Sequence, residues 1–96
     1  MPRIQQIEDD LKRIHELATV QLERWPHDPD LMYEFGVILL RAGAEEQGLA
    51  WLDRALLESN DRHAPTHKAL ADYYKKKGNS RLAAQHREKA GGEGNP

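Results

Sequence analysis

Residues 34–43 read EFGVILLRAG, and residues 69–78 read ALADYYKKKG. Both stretches run from apolar and small residues through bulky ones and close on a glycine. Sliding residues 29–55 along the chain by 35 positions sets Phe35 against Leu70, Gly36 against Ala71 and Leu39 against Tyr74. The same shift sets Gly43 against Gly78, Gly48 against Ala83 and Ala55 against Ala90. Small meets small and bulky meets bulky over the length of a helix pair. Self-similarity at this period marks stacked helical hairpins. Two helices approach closely only where neither carries a large side chain. That assigns Gly36 and Gly48 to the contact in the first hairpin, and Ala71 and Ala83 to the contact in the second.

The flanking sequence punctuates the same units. Residues 3–25 carry Ile4, Ile7, Leu11, Ile14, Ala18, Leu22 and Trp25 at helical spacing, with Leu17 and Val20 widening the stripe. Asp9, Asp10, Lys12, Arg13 and Glu16 take the other side. The stretch WPHDPD at 25–30 stops this helix, because Pro26 and Pro29 cannot continue it. Asp28 is the expected N-cap of the next helix, with Pro29 at its first position. Gly43 closes that helix near Ala42, and Glu45 and Glu46 open a third, where negative charge suits the helix N-terminus. The third is apolar most of the way round, as expected of a helix covered on both sides. ESNDRHAP at 58–65 breaks the chain, and Pro65 starts a fourth helix that ends in Lys75, Lys76, Lys77 and Gly78. A fifth, Ser80 to Ala90, has only Leu82, Ala83, Ala84 and Ala90 as an apolar stripe. Its outer face is polar, which suits the end of a stack. Nothing alternates with period two, so the expected fold class is all-α, five helices in one domain over residues 1–90. Its units are a helix at 3–25 and repeats at 29–58 and 64–90. GGEGNP at 91–96 reads as a disordered tail.

The repeat resembles the tetratricopeptide repeat, whose pattern runs W-x2-L-G-x2-Y and then small, aromatic and Pro positions over about 34 residues. MYEFGVIL and HKALADYY fill its first part; Gly48, Leu52 and Ala55, then Ala83, Arg87 and Ala90, fill its second. Met32 and His67 stand for the pattern's Trp, Arg87 for a bulky apolar residue, and Asn60 where Pro is usual. The resemblance covers about residues 14–90. It implies a right-handed helical-hairpin solenoid, in which residues 3–25 look like the second helix of a degenerate preceding repeat. It also implies that the first helix of each hairpin lines a concave face. By matching position, Tyr33, Val37, Leu40 and Arg41 would line it from one repeat, and Lys68, Asp72, Lys75 and Lys76 from the next. A partner's peptide or helix could rest on Tyr33 and Val37 while the lysines take its acidic groups. The Lys/Asn clamp that grips chaperone tails in this family is not expected, since Asp30, Glu34, Pro65 and Ala69 occupy the comparable stretches.

Composition narrows the function classes. The chain has 96 residues and no Cys, which excludes a disulfide scaffold, a thiolate zinc site and a Cys nucleophile. No apolar run approaches the roughly 18–20 residues that span a bilayer, and MPRIQQIEDD lacks the core of a signal peptide. The expectation is a soluble, cytoplasmic protein. The net charge of −2 gives no general pull toward nucleic acid. It is unevenly spread, with 5 basic and 10 acidic residues in 1–48 against 9 and 6 in 49–96. That asymmetry suits two solvated faces, attraction between copies, or an anionic partner at the C-terminal half.

No residue set reads as catalytic. Thr19, Ser59, Thr66 and Ser80 lie in no nucleophile motif, and neither a P-loop nor GxGxxG occurs. His63 and His67, in HAPTH, are four apart but straddle Pro65, so they need not share a face; no metal, cofactor or small-molecule substrate is expected. The lysines at 75–77 read as a solvated helix end, and Trp25 and Trp51 as core, with Trp25 alternatively covering the first junction. The leading expectation is a non-catalytic interaction module. The alternative is a homo-oligomeric structural unit that associates through the long first helix. At about 1.5 Å per residue that helix is roughly 33 Å long and overhangs a 14-residue neighbour, leaving Ile4, Ile7 and Leu11 as the candidate seam.

Overall fold

A computed structural model describes residues 2–91, with side chains described from residue 9 onward. The described residues form five α-helices and no strand: α1 (Pro2–Arg24), α2 (Pro29–Arg41), α3 (Glu45–Glu58), α4 (Ala64–Lys76) and α5 (Ser80–Lys89). The 35-residue shift carries both bounds of α2 onto those of α4, and the start of α3 onto the start of α5. The helices pack chiefly as two hairpins, α2 with α3 and α4 with α5; α1 lies on α2, and α4 makes thinner contacts with α2 and α3. Residues 92–96, most of the expected tail, lie outside the described residues.

Each hairpin turns by the same device. Gly43 has φ of 88°, its N–H reaches the Leu40 carbonyl at 3.1 Å, and the Ala44 N–H reaches Leu39 at 2.9 Å. Gly78, with φ of 81°, repeats this with Lys75 at 3.1 Å, and Asn79 with Tyr74 at 2.8 Å. These are Schellman closures, which need a left-handed residue one past the helix cap and favour glycine there. The end of α3 uses Asn60 instead (φ 55°), followed by Asp61 at φ 65°. Side chains cap the N-termini of α2, as expected of Asp28, and of α5. Asp28 accepts from the Asp30 N–H at 2.9 Å, and Asn79 from the Leu82 N–H at 3.2 Å.

The core follows the repeat and then departs from it. Met32 and His67, equivalent by the shift, are both fully buried. So are Leu52 and Ala55 on α3, whereas their α5 counterparts are an exposed Arg87 and a half-buried Ala90. Leu22 from α1 joins Met32 and Ala55 in one cluster, flanked by Tyr33 and Trp51. Trp51 is thus a core-edge residue, its ring 5.8 Å from that of Phe35.

Three sequence expectations need correction. Trp25 is 49% exposed, with the Arg24 guanidinium 5.4 Å over its ring: the chain turns outward at Pro26 before the ring can reach the core. Leu17 and Val20 do not widen the buried stripe of α1. They are 52% and 58% exposed, since only α2 packs closely on this helix and Ala18 and Leu22 fill that contact. The outer side of α3 also carries a Leu57 that is 79% exposed, so that helix is not covered all round.

The α2–α3 contact is closest at two glycines. A Cβ on Gly36 would lie 2.7 Å from Leu52 Cδ2 and 3.0 Å from the Gly48 carbonyl oxygen. A Cβ on Gly48 would lie 2.8 Å from Leu40 Cγ and 2.9 Å from the Gly36 carbonyl oxygen. Each backbone sits where the other's side chain would be. Gly48→Ala gains about 1 kcal/mol of helix propensity, but overpacking of this kind costs about 1–3 kcal/mol. With backbone on one side there is little room to relax, so the overpacking cost outweighs the gain. Urea denaturation of Gly48→Ala should therefore show a net loss of up to about 2 kcal/mol. Parent-like stability would mean that the helices part without cost.

Candidate functional site

Helices α2 and α4 run along one face, and the N-terminus of α3 closes one end of the groove between them. The groove encloses about 580 Å³ and is lined from α2 by Tyr33, Val37, Leu40 and Arg41, and from α4 by Lys68, Asp72 and Lys76. Every residue expected on the binding face lines it except Lys75, which is exposed but not part of the lining. Glu45, Pro65, Ala69, Tyr73 and Lys77 also line it and were not foreseen. Pro65 and Ala69 had been set aside as clamp positions. Glu45 comes from α3, which matching by position alone does not bring to this face.

Glu45 organises one end of the groove. Its carboxylate accepts from the Tyr73 hydroxyl at 2.9 Å and from the Lys77 ammonium at 3.0 Å, and the Lys77 Nζ lies 5.7 Å from the Tyr73 ring centroid. The bonds from Lys77 and Tyr73 hold the Glu45 carboxyl below its ordinary value, and the bond to Glu45 raises Lys77. Lys77 and Glu45 therefore cancel. Arg41, Lys68 and Lys76 have no ion pair among the described residues, and Asp72 is the remaining carboxylate of the lining. The groove so presents an excess of cations beside the apolar surfaces of Tyr33, Val37 and Leu40.

The far end is held by His63. Its ring is 9% exposed, with Nε2 2.6 Å from Asp30 Oδ1 on α2 and Nδ1 2.7 Å from Thr66 Oγ1 on α4. The carboxylate requires Nε2 to carry hydrogen, and Nδ1 and the Thr66 hydroxyl share the other hydrogen bond. A hydroxyl, an imidazole and a carboxylate thus stand in a row, as in a nucleophilic relay. Thr66, however, is 0% exposed, so no substrate can reach its oxygen. The row links the starts of α2 and α4, and Tyr33 packs on it with its ring 5.6 Å from that of His63. Among the described residues no three His, Asp or Glu side chains gather as a metal site, and no helix is long and apolar enough to cross a membrane.

Of the expected association residues, Leu11 is half-buried and lies in a hollow with Gly43, Ala44 and Glu45–Gln47 at the turn between α2 and α3. The side chains of Ile4 and Ile7 lie outside the described set. No family model matches the chain, and neither a curated protein nor a solved structure matches it.

The Glu45 clamp has a defined pH signature. With its folded pKa below the ordinary 4.5, Glu45 favours the folded state above that value, and the contribution is lost as pH falls through the folded pKa. The difference in thermal midpoint between parent and Glu45→Gln should shrink as pH drops below about 4.5. In Lys77→Met, the Glu45 carboxyl resonance should titrate closer to an ordinary glutamate. An unchanged titration in that variant would show that Lys77 does not hold the carboxylate.

Proposed function

We propose that this chain is a non-catalytic protein–protein interaction module of tetratricopeptide type, a right-handed stack of helical hairpins. It takes an acidic, partly apolar segment of a partner protein along the groove between α2 and α4. The observation that carries this reading is the charge balance of the groove: Arg41, Lys68 and Lys76, without an ion pair among the described residues, stand beside Tyr33 and Val37, with Glu45 neutralised by Lys77. Lys68 and Lys76 are two helical steps of four apart, about 12 Å along α4, with Asp72 between them. A segment with two carboxylates at that separation meets a cation at each end and avoids the aspartate in the middle. The 35-residue repeat of helix bounds supports the family assignment, because it brings equivalent helices to one face.

The test is selection of random displayed peptides on the intact chain. Enriched peptides should carry paired Asp or Glu residues around an apolar residue and bind more weakly as salt rises. Their affinity should drop about tenfold or more in Lys68→Glu with Lys76→Glu, a change of at least about 1.4 kcal/mol. Failure to enrich any peptide, or peptides indifferent to both the lysines and Val37→Asp, would end this reading.

A second reading, a homo-oligomeric unit that associates through α1, draws support from Leu17 and Val20, which lie exposed one turn apart on that helix. Light scattering over a wide concentration range should then show an oligomer in the parent and a folded monomer in Leu17→Asp with Val20→Asp. A parent that stays monomeric throughout would remove it.

A further inference from the structure

The shift of 35 residues that relates the hairpins sets His67 at the position of Met32 and His86 at that of Trp51. In the first hairpin Trp51 packs against the cluster that contains Met32, an apolar contact between α2 and α3. In the second hairpin two imidazoles meet instead. His67 is fully buried, and its Nδ1 lies 2.9 Å from Nδ1 of His86. The rings stack with centroids 5.1 Å apart, and Tyr74 stacks on His86 with centroids 5.8 Å apart.

The partners of His67 fix where its proton sits. Its Nε2 is 2.9 Å from the Asp61 carbonyl oxygen and 3.2 Å from Asp61 Oδ1. A carbonyl only accepts, so Nε2 carries hydrogen. Neutral His67 then offers a bare Nδ1, and His86 Nδ1–H donates to it. One added proton is tolerated, since a cationic His67 donates the other way and keeps the Asp61 carboxylate beside it. A second is not. With both rings cationic, two N–H groups would face each other across 2.9 Å.

We propose that the His67–His86 pair is a proton-operated latch, which holds α5 on α4 at neutral pH and releases it in mildly acidic solution. The proposal is independent of what the groove binds.

Asp61, in the loop after α3, favours cationic imidazole, but Lys89 of α5 already pairs with its Oδ2 at 3.0 Å. Asp53 on α3 acts on His86 in the same sense as Asp61, more weakly than Lys89 and His67 oppose it. Burial first, then His67 and Lys89, hold the His86 imidazole below its ordinary value. The docked pair binds one proton at most, while two free imidazoles bind two. By linkage, acid favours the undocked state wherever that state takes up more protons. Below the ordinary imidazole value of about 6.5, the docking equilibrium should weaken by up to about tenfold per pH unit. The sign agrees with the depressed value at His86: its stabilising contribution is present above the free imidazole value and is lost as pH falls through the folded one. Release would uncover Leu70, Ala71 and Ala83, now buried. The first hairpin, with Met32 and Trp51 at these positions, is the internal control.

The test is amide hydrogen exchange on the intact chain between pH 7.5 and 5, corrected for the intrinsic pH dependence of exchange. Protection in α4 and α5 should fall by up to about tenfold per pH unit below about 6.5 while protection in α2 and α3 holds. In His86→Gln the amide can still donate to His67 Nδ1 but does not titrate, so protection should stay level. Should that variant fail to fold, imidazole NMR of the parent decides: the second proton should enter the pair together with the loss of protection. Constant protection of α5 down to pH 5 would overturn the latch. So would equal loss in both hairpins, an unaltered pH dependence in folded His86→Gln, or two imidazoles that fully protonate while α5 stays docked.

Discussion

The fold depends on the absence of side chains at two points. Gly36 and Gly48 let the α2 and α3 backbones meet so closely that each carbonyl oxygen occupies the space of the other's missing Cβ. That approach sets how deeply Leu52 and Leu39 sink and therefore where the Met32 cluster lies. It also fixes the line of α2, from which half of the groove projects. In the second hairpin Ala71 and Ala83 take the equivalent places, both buried.

The two hairpins are joined by different means from those that build each one. Within a hairpin, small and apolar residues meet, joined in the second by the His67–His86 pair. Between hairpins, polar bridges stand at both ends of α4: His63 to Asp30 at its start, and Tyr73 and Lys77 to Glu45 at its finish. Ionic contacts on exposed side chains add little stability, but they carry direction. They set α4 beside α2 with Lys68 and Lys76 on the groove side.

Much of this was legible because repeats encode themselves twice. The caps Gly43 and Gly78 and the close contact at Gly36 and Gly48 follow from aligning one hairpin on the other. Asp28 follows from its place before Pro29, and the groove residues other than Lys75 follow only from the family resemblance, which sets the first helix of each hairpin on one face. What stayed hidden were features belonging to only one copy. Glu45 reaches the groove through its tertiary neighbours Tyr73 and Lys77, and no spacing rule joins residues so far apart. The His67–His86 contact had a signal, the replacement of Met32 and Trp51 by histidine, but a substitution at one position does not announce its partner. Trp25 was misplaced because periodicity continued the α1 stripe through a residue where Pro26 had already turned the chain.

The short turns at Gly43 and Gly78 bear on how the chain finds this structure. Each hairpin closes over a few residues, so the entropy lost in forming its contacts is small. Most of the packing then joins neighbours in sequence, a topology of low contact order that folds fast. The hairpin with the interlocked glycines and the larger apolar cluster is the natural nucleus. A chain of helical hairpins can thus gain its contacts in steps.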